Sequence, residues 1–288
     1  MDTECARLPA REEVMTMTTT PTCDSASPND APLLSVSGIT KHYGGVTAVD
    51  EVSFAVPAGT VLGLVGPNGA GKTTLLDCIV GTQVASAGAI RVGGRAVGPG
   101  PTVRARAGLA RTFQHPQLAL ELSPVENIVP GLVGRRLGSY AGSVRAMFRG
   151  LAGTPHGALT RAAELAAEYG VTTEDVSTGD LGLGAQRLVE IARAMASQPR
   201  VLLLDEPFAG SDRNGIAAVS RAIGQARDSG RSVVLVDHNV DLIADLADTV
   251  VLLADGRIAF SGDPSECMRS AEMQAVYFGT PLSTEENR

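Results

Sequence analysis

The chain has 288 residues, enough for one large domain or a domain with a subdomain, and enough to bury a substantial core. Apolar residues make up 44% and charged residues 19%, an ordinary globular balance, while aromatics stand at 3% with no Trp, so the core must be built from Val, Leu, Ile and Ala. A net charge of -7 argues against a nucleic-acid partner, and no apolar run approaches the roughly 20 residues of a membrane span.

Residues 1–32, which include "MTMTTTPTCDSASPNDAP", are rich in Thr, Ser and Pro and lack both an apolar period and a secretory h-region. This composition predicts a disordered extension, with Met15 and Met17 as alternative starts. Cys5, Cys23, Cys78 and Cys267 are scattered without a C-x-x-C pair, which predicts reduced thiols in a cytosolic protein.

From residue 33 strands and helices alternate. "LLSVSGI" (33–39) and "EVSFAV" (51–56) have the period of two expected of strands, and "TVLGLVG" (60–66) is apolar throughout, as a buried strand is. Residues 71–80 predict a helix and "LARTFQ" (109–114) a short strand. Between about 123 and 178 strand signals fade, and "SVRAMFRG" and "RAAELAAEYG" predict a helical insert. "RVLLLD" (200–205) and "RSVVLVD" (231–237) are continuous apolar strands, each preceded by a helical segment, and "TVVLLADGRIAF" (249–260) predicts a hairpin turning at Asp255–Gly256. The alternation predicts an α/β fold with a mainly parallel sheet covered by helices.

"GPNGAGKT" (66–73) fits G-x-x-x-x-G-K-[ST], and it follows a buried strand and opens a helix, as the mechanism of that motif requires. Gly66, Gly69 and Gly71 let the backbone curl, around the turn at Pro67, until N–H groups of the loop, those of Asn68 and Ala70 among them, converge on phosphate, and the helix start adds positive character. Lys72 is placed for the β- and γ-phosphates, the Thr73 hydroxyl for Mg²⁺, and Thr74 continues the cradle. "VLLLDEP" supplies Asp205 to hold Mg²⁺ and Glu206 to act as base on, or orient, the attacking water. Gln114 and His238 each end a strand on the edge where α/β sheets bind ligands, Gln114 for Mg²⁺ or water and His238 for the γ-phosphate. Each, read alone, is better explained as a capping or surface residue. Tyr43 is an aromatic ahead of the loop that can stack on a base.

"LGLGAQ" (181–186) leads into an apolar-faced helix at Gly184–Ser197, with Leu188, Ile191, Ala192 and Met195 on one face. It is either an ordinary glycine-containing loop or a helix tip whose bare N–H groups face an anion.

Taken together, Tyr43, "GPNGAGKTT", Gln114, "LGLGAQ", "VLLLDEP", "AGSD" and His238, in that order, resemble the ATP-binding cassette (ABC) ATPases over residues 33–279. The segments "HYGGVTAVDEVSF", "LARTFQHPQL", "SPVENI" and "DHNVDLIADLADTVVLLADGRIAFSGDPSE", with the ending "AVYFG", are similar to the ATP-binding subunits of branched-chain amino acid importers. The resemblance implies a P-loop NTPase core with an antiparallel β subdomain, a helical subdomain at about 120–180 and a C-terminal tail at 280–288. It implies ATP and Mg²⁺ as cofactors, a separate membrane permease as partner, a solute-binding protein indirectly, and a peripheral place on the inner face of the plasma membrane. Two subunits would sandwich two ATP molecules, with Gly182, Gly184 and Gln186 of each facing the other's triphosphate. Here Gly182 stands where the family has Ser, Leu183 where it has Gly and Ala185 where it has Gln. Losing the serine hydroxyl removes a charge-facing hydrogen bond worth about 1.5–3 kcal/mol. The loss falls on the partner's ATP, which predicts a heterodimer with unequal sites in preference to a homodimer. An exporter-type cassette, a non-transport ABC ATPase and a regulatory nucleotide-binding module are the alternative readings.

Overall fold

The computed structural model describes residues 31–114, 116–137, 156–172 and 176–278. Most of the expected N-terminal extension, with Met15, Met17, Cys5 and Cys23, lies outside the described residues, as do "SVRAMFRG" and the tail at 280–288.

Two sheets carry the architecture. The first is antiparallel, in the order β2-β1-β4-β5, from β1 (Leu34–Tyr43), β2 (Val46–Val56), β4 (Ala87–Val92) and β5 (Arg95–Ala96). The second has the order β10-β9-β3-β8-β7-β6, from β3 (Val61–Val65), β6 (Leu109–Arg111), β7 (Val201–Asp205), β8 (Ser232–Val236), β9 (Thr249–Ala254) and β10 (Arg257–Gly262). Its strands pair in parallel except at β10, which returns antiparallel from the Asp255–Gly256 turn. The fold is therefore α/β, with a mainly parallel sheet beside an antiparallel one. Every residue of β3, β7 and β8 is buried, which is why these strands read as unbroken apolar runs and not as alternating ones.

Successive side chains feed opposite faces of the parallel sheet. On one side Leu62, Leu64, Leu203 and Val234 pack with Leu75, Leu76 and Ile79 of α1 (Lys72–Val80) and with Leu34, Val36 and Val52 of the antiparallel sheet. On the other, Leu202, Leu204, Val233 and Leu235 pack with residues of α3 (Pro124–Leu137), α4 (His156–Glu168), α5 (Leu183–Ala196), α6 (Arg213–Asp228) and α7 (Val240–Leu246). Short helices α2 (Pro101–Ala107), α8 (Pro264–Arg269) and α9 (Ala271–Phe278) complete the set.

The helix starts follow from local sequence. Ser123 and Glu126 form a reciprocal capping box at α3, with the Glu126 N–H reaching Ser123 Oγ at 3.3 Å and the Ser123 N–H reaching Glu126 Oε2 at 2.9 Å. Asp212, Asn239 and Asp263 cap α6, α7 and α8 through their side-chain oxygens. Helices α1 and α5 differ: Gly71 and Gly182 stand at the cap with no side-chain bond to the free N–H groups. Cys78 and Cys267 are buried free thiols, and burial pushes both above their ordinary value. Among the described residues no helix is long and apolar enough to cross a membrane.

Candidate functional site

Parallel pairing of β3, β8 and β7 brings Leu64 beside Val236 and Val236 beside Asp205, so the loop after Val65, the Asp205–Glu206 pair and Asp237–His238 emerge on one sheet edge. That edge is where α/β sheets bind ligands.

The loop at 66–71 is shaped by its glycines. Gly66 (φ 149) has the Leu253 carbonyl, and Gly71 (φ 101) the Ala48 carbonyl, where a Cβ would lie, so no other residue fits at either place. The Gly66 N–H donates to Tyr277 Oη at 3.1 Å. Ala70 is buried, and Asn68 and Gly69 form an exposed turn closed by the Ala70 N–H on the Pro67 carbonyl at 3.2 Å. Lys72 folds back over the loop, donating from Nζ to the Gly66 carbonyl at 2.6 Å and the Pro67 carbonyl at 2.9 Å. Burial lowers its pKa, and the charges of Glu206 and Asp205 work in the opposite direction. An ammonium held by two neutral carbonyls above the open N-terminus of α1 fits a polyphosphate. Thr73 is exposed in the first turn of α1, followed by Thr74.

Asp205 is buried and paired: Arg111 Nη2 lies 2.7 Å from its Oδ2, while Arg111 Nη1 lies 2.5 Å from Asp77 Oδ1. Burial opposes the Arg111 charge, but its hydrogen bonds to Asp205 and Asp77 more than offset this and hold its pKa above the ordinary value. Sequence reading singled out Gln114 in "LARTFQ" and passed over Arg111, because nothing in the sequence says that β6 lies beside β7. Glu206, one residue past β7, has a left-handed backbone (φ 46), a strained conformation for a non-glycine residue, secured by its N–H to the Val236 carbonyl at 2.7 Å. Its Oε2 accepts from Gln114 Nε2 at 2.9 Å. The strand carrying that glutamine is shorter than expected: β6 ends at Arg111, and Gln114 stands three residues beyond, in a loop.

His238 follows β8 as expected and is 67% exposed on its side chain, with Nδ1 3.6 Å from Asp237 Oδ1. Asp237 was not singled out from sequence. It is buried, its Oδ1 accepts the Asn239 N–H at 2.9 Å, and its Oδ2 has no hydrogen-bond partner among the described residues. Tyr43 ends β1 on the antiparallel sheet, about half exposed, with Lys41 Nζ 4.8 Å from its ring centre.

The helix after "LGLGAQ" opens at Leu183, one residue before the expected start, with Gly182 exposed at the cap and no acidic residue in the first turn. Gln186 turns inward, donating to the Leu181 carbonyl at 2.9 Å. Gly184 is buried, and a Cβ there would lie 2.6 Å from Gly215 Cα. Its lack of a side chain thus serves the approach of α5 to α6, while only Gly182 of the two glycines has open space around it. Arg187 and Glu190, also on α5, are buried against the Gln114 loop; sequence alone offered only their spacing of three.

Among the described residues, no cluster of three His, Cys, Asp or Glu side chains gathers to hold a metal. An ion on this edge would be held by Thr73, Asp205 and Gln114 together with phosphate oxygens, the usual arrangement for Mg²⁺.

Residues 49–209 match the family model described as ABC transporter. The chain is 34% identical over 260 residues to the high-affinity branched-chain amino acid transport ATP-binding protein BraF of Pseudomonas aeruginosa, covering 86% of this chain and 98% of that one. It is also 34% identical over 248 residues to the lipopolysaccharide export system ATP-binding protein LptB of Escherichia coli K12, covering 85% and 97%. Among solved structures, the ADP conformation of MJ1267, an ATP-binding cassette of an ABC transporter, superposes with a TM-score of 0.75 at 25% identity, covering 86% of this chain and 99% of that one. A family match over more than half the chain, with relatives a third identical along most of it, establishes that the chain belongs to the ABC transporter family as an ATP-binding subunit that hydrolyses ATP.

Proposed function

We propose that this subunit powers import of a small polar solute of the branched-chain amino acid class. It does so from the inner membrane face, docked on a separate permease that a solute-binding protein supplies. Family subunits work with membrane permease components. The observation that carries the chemistry is the Gln114–Glu206 hydrogen bond at 2.9 Å on the sheet edge that also holds the Lys72 loop. Similarity to BraF carries the choice of solute.

In this reading the N–H groups of Asn68, Gly69 and Gly71 cradle the triphosphate, and Lys72 trades its loop carbonyls for β- and γ-phosphate oxygens. Tyr43 stacks on the adenine. Thr73, Asp205 and Gln114 would hold Mg²⁺, which would supply positive charge beside the phosphates. Arg111 aims the Asp205 carboxylate through its 2.7 Å hydrogen bond. Glu206 holds the attacking water and takes its proton, with Gln114 orienting the carboxylate and His238 facing the γ-phosphate. Free N–H groups at the Gly182 cap, with Gly184 and Gln186 shaping that helix start, meet the triphosphate of a second subunit. With no serine hydroxyl at 182, that opposing site is the weaker one, which favours a heterodimer.

LptB supports a second reading, export of a lipid-like substrate, at equal identity. The test is to isolate the membrane protein that co-purifies with the chain and reconstitute the pair in liposomes. ATP-dependent uptake of labelled leucine or a related small solute supports import. ATP turnover stimulated by a lipid, with no solute uptake, would replace import by export.

A further inference from the structure

Two buried charges of α5 hold the backbone of the segment that carries Gln114. Arg187 is 3% exposed and Glu190 is 2% exposed, and their spacing of three sets them on one helix face. Arg187 Nη1 donates to the Phe113 carbonyl at 2.5 Å and lies 3.2 Å from Glu190 Oε2, and Nη2 donates to the Gln114 carbonyl. Glu190 Oε1 accepts the Phe113 N–H at 3.0 Å. Three backbone groups of consecutive residues are thus fixed by one helix. The segment has no sheet to hold it there: the ladder ends with the Thr112 N–H on the Leu203 carbonyl at 2.9 Å.

A buried ion pair is a poor way merely to fill space, since apolar side chains of similar volume serve stability as well or better. Apolar side chains cannot satisfy loop N–H and C=O groups. Burial pushes the Glu190 carboxyl above its ordinary range, and the Phe113 N–H and Arg187 act against this.

We infer that Arg187 and Glu190 are positioning residues for Gln114: they fix the backbone from which its amide reaches Glu206, and they bind that reach to the helix opening at Gly182. The inference rests on the roles proposed above for Gln114 and Glu206. Gly182 and Arg187 are five residues apart on one rigid element, about 7.5 Å along the axis. Seating of the helix start on an opposing triphosphate and placement of Gln114 on its own site are therefore one movement.

The test uses the full-length chain carrying Arg187→Met with Glu190→Leu, which removes both charges and keeps the volume. Hydrogen exchange at the Phe113 amide is expected to rise about tenfold or more as its acceptor is lost. The kcat for Mg-ATP is expected to fall about tenfold, with KM changed less than about threefold, because ground-state binding is untouched. Gln114→Ala should lower kcat in the wild-type background and add less than about a twofold further loss in the double variant, since both act on one element. Unchanged Phe113 exchange, wild-type kcat in the double variant, or losses that multiply independently would overturn the assignment. Should the double variant not fold, the single variants decide. Glu190→Gln keeps an acceptor for the Phe113 N–H and should lose less activity than Arg187→Met, which frees both carbonyls; the reverse order overturns the assignment. Failure of the underlying site reading has its own signature, wild-type turnover in Glu206→Gln and in Gln114→Ala while Phe113 protection still depends on the pair.

Discussion

Gly184 of α5 and Gly215 of α6 meet backbone to backbone: a Cβ on the first would stand 2.6 Å from the Cα of the second, and a Cβ on the second 3.1 Å from the Cα of the first. The glycine-rich start of α5 therefore has two unlike positions. Gly184→Ala has to push the helices apart and should cost about 1–3 kcal/mol of stability, as overpacking generally does. Among the described residues Gly182 has nothing within 4 Å of its own missing Cβ, so Gly182→Ser should leave stability within about 0.5 kcal/mol. Chemical denaturation of both variants checks the contrast. If the opposing site is limited by the missing hydroxyl, Gly182→Ser should also raise ATP turnover of the assembled pair by roughly tenfold.

Glu206 is held in a left-handed backbone with its carboxylate on Gln114, and its proposed work is on the attacking water. Glu206→Gln should keep nucleotide binding and lower turnover about a hundredfold or more, as expected on losing a general base. The ATP-loaded dimer should then accumulate. Light scattering with saturating Mg-ATP checks this; a monomer under those conditions contradicts the role.

Arg111 sits between Asp77 and Asp205 with its side chain 7% exposed. Arg111→Met leaves the Asp205 carboxylate buried without its counter-charge and should destabilise the protein by about 3–5 kcal/mol. Pairing Arg111→Met with Asp205→Asn should recover much of that loss, though not activity. Thermal unfolding of the single and double variants measures the recovery.

Glu190 gives a pH signature. Burial, its largest influence, raises its carboxyl above the ordinary 4.5. Between 4.5 and that raised value the folded protein binds more protons at this residue than the unfolded chain does. Stability relative to Glu190→Gln is therefore greatest below pH 4.5 and falls as pH rises through the folded-state value. Urea unfolding of both proteins between pH 4 and 8 should show this slope; a flat difference would contradict it.

The first-order plan was legible because it is written locally. The apolar runs of β3, β7 and β8, the Asp255–Gly256 turn and "GPNGAGKT" each state their structure within a dozen residues, and each is found where sequence reading puts it. The short strands β4 and β5 and helix α2 escaped notice, since Ala87–Val92 is mostly exposed, contains Gly88 and runs into Gly93–Gly94, with little periodic signal.

What the sequence by itself determined is the α/β core, the phosphate loop and the identity of the residues grouped at the strand ends, because strand burial and loop chemistry depend on neighbours along the chain. What only the tertiary structure decided is which of those residues meet. Arg111 reaches Asp205 across 94 positions, Gln114 reaches Glu206 across 92, and Arg187 reaches the Phe113 carbonyl across 74. Those contacts depend on the order of strands in the sheet and on how α5 lies against the loop after β6. They arise from packing between distant segments, where side-chain reach and the need to satisfy buried charges select the partner.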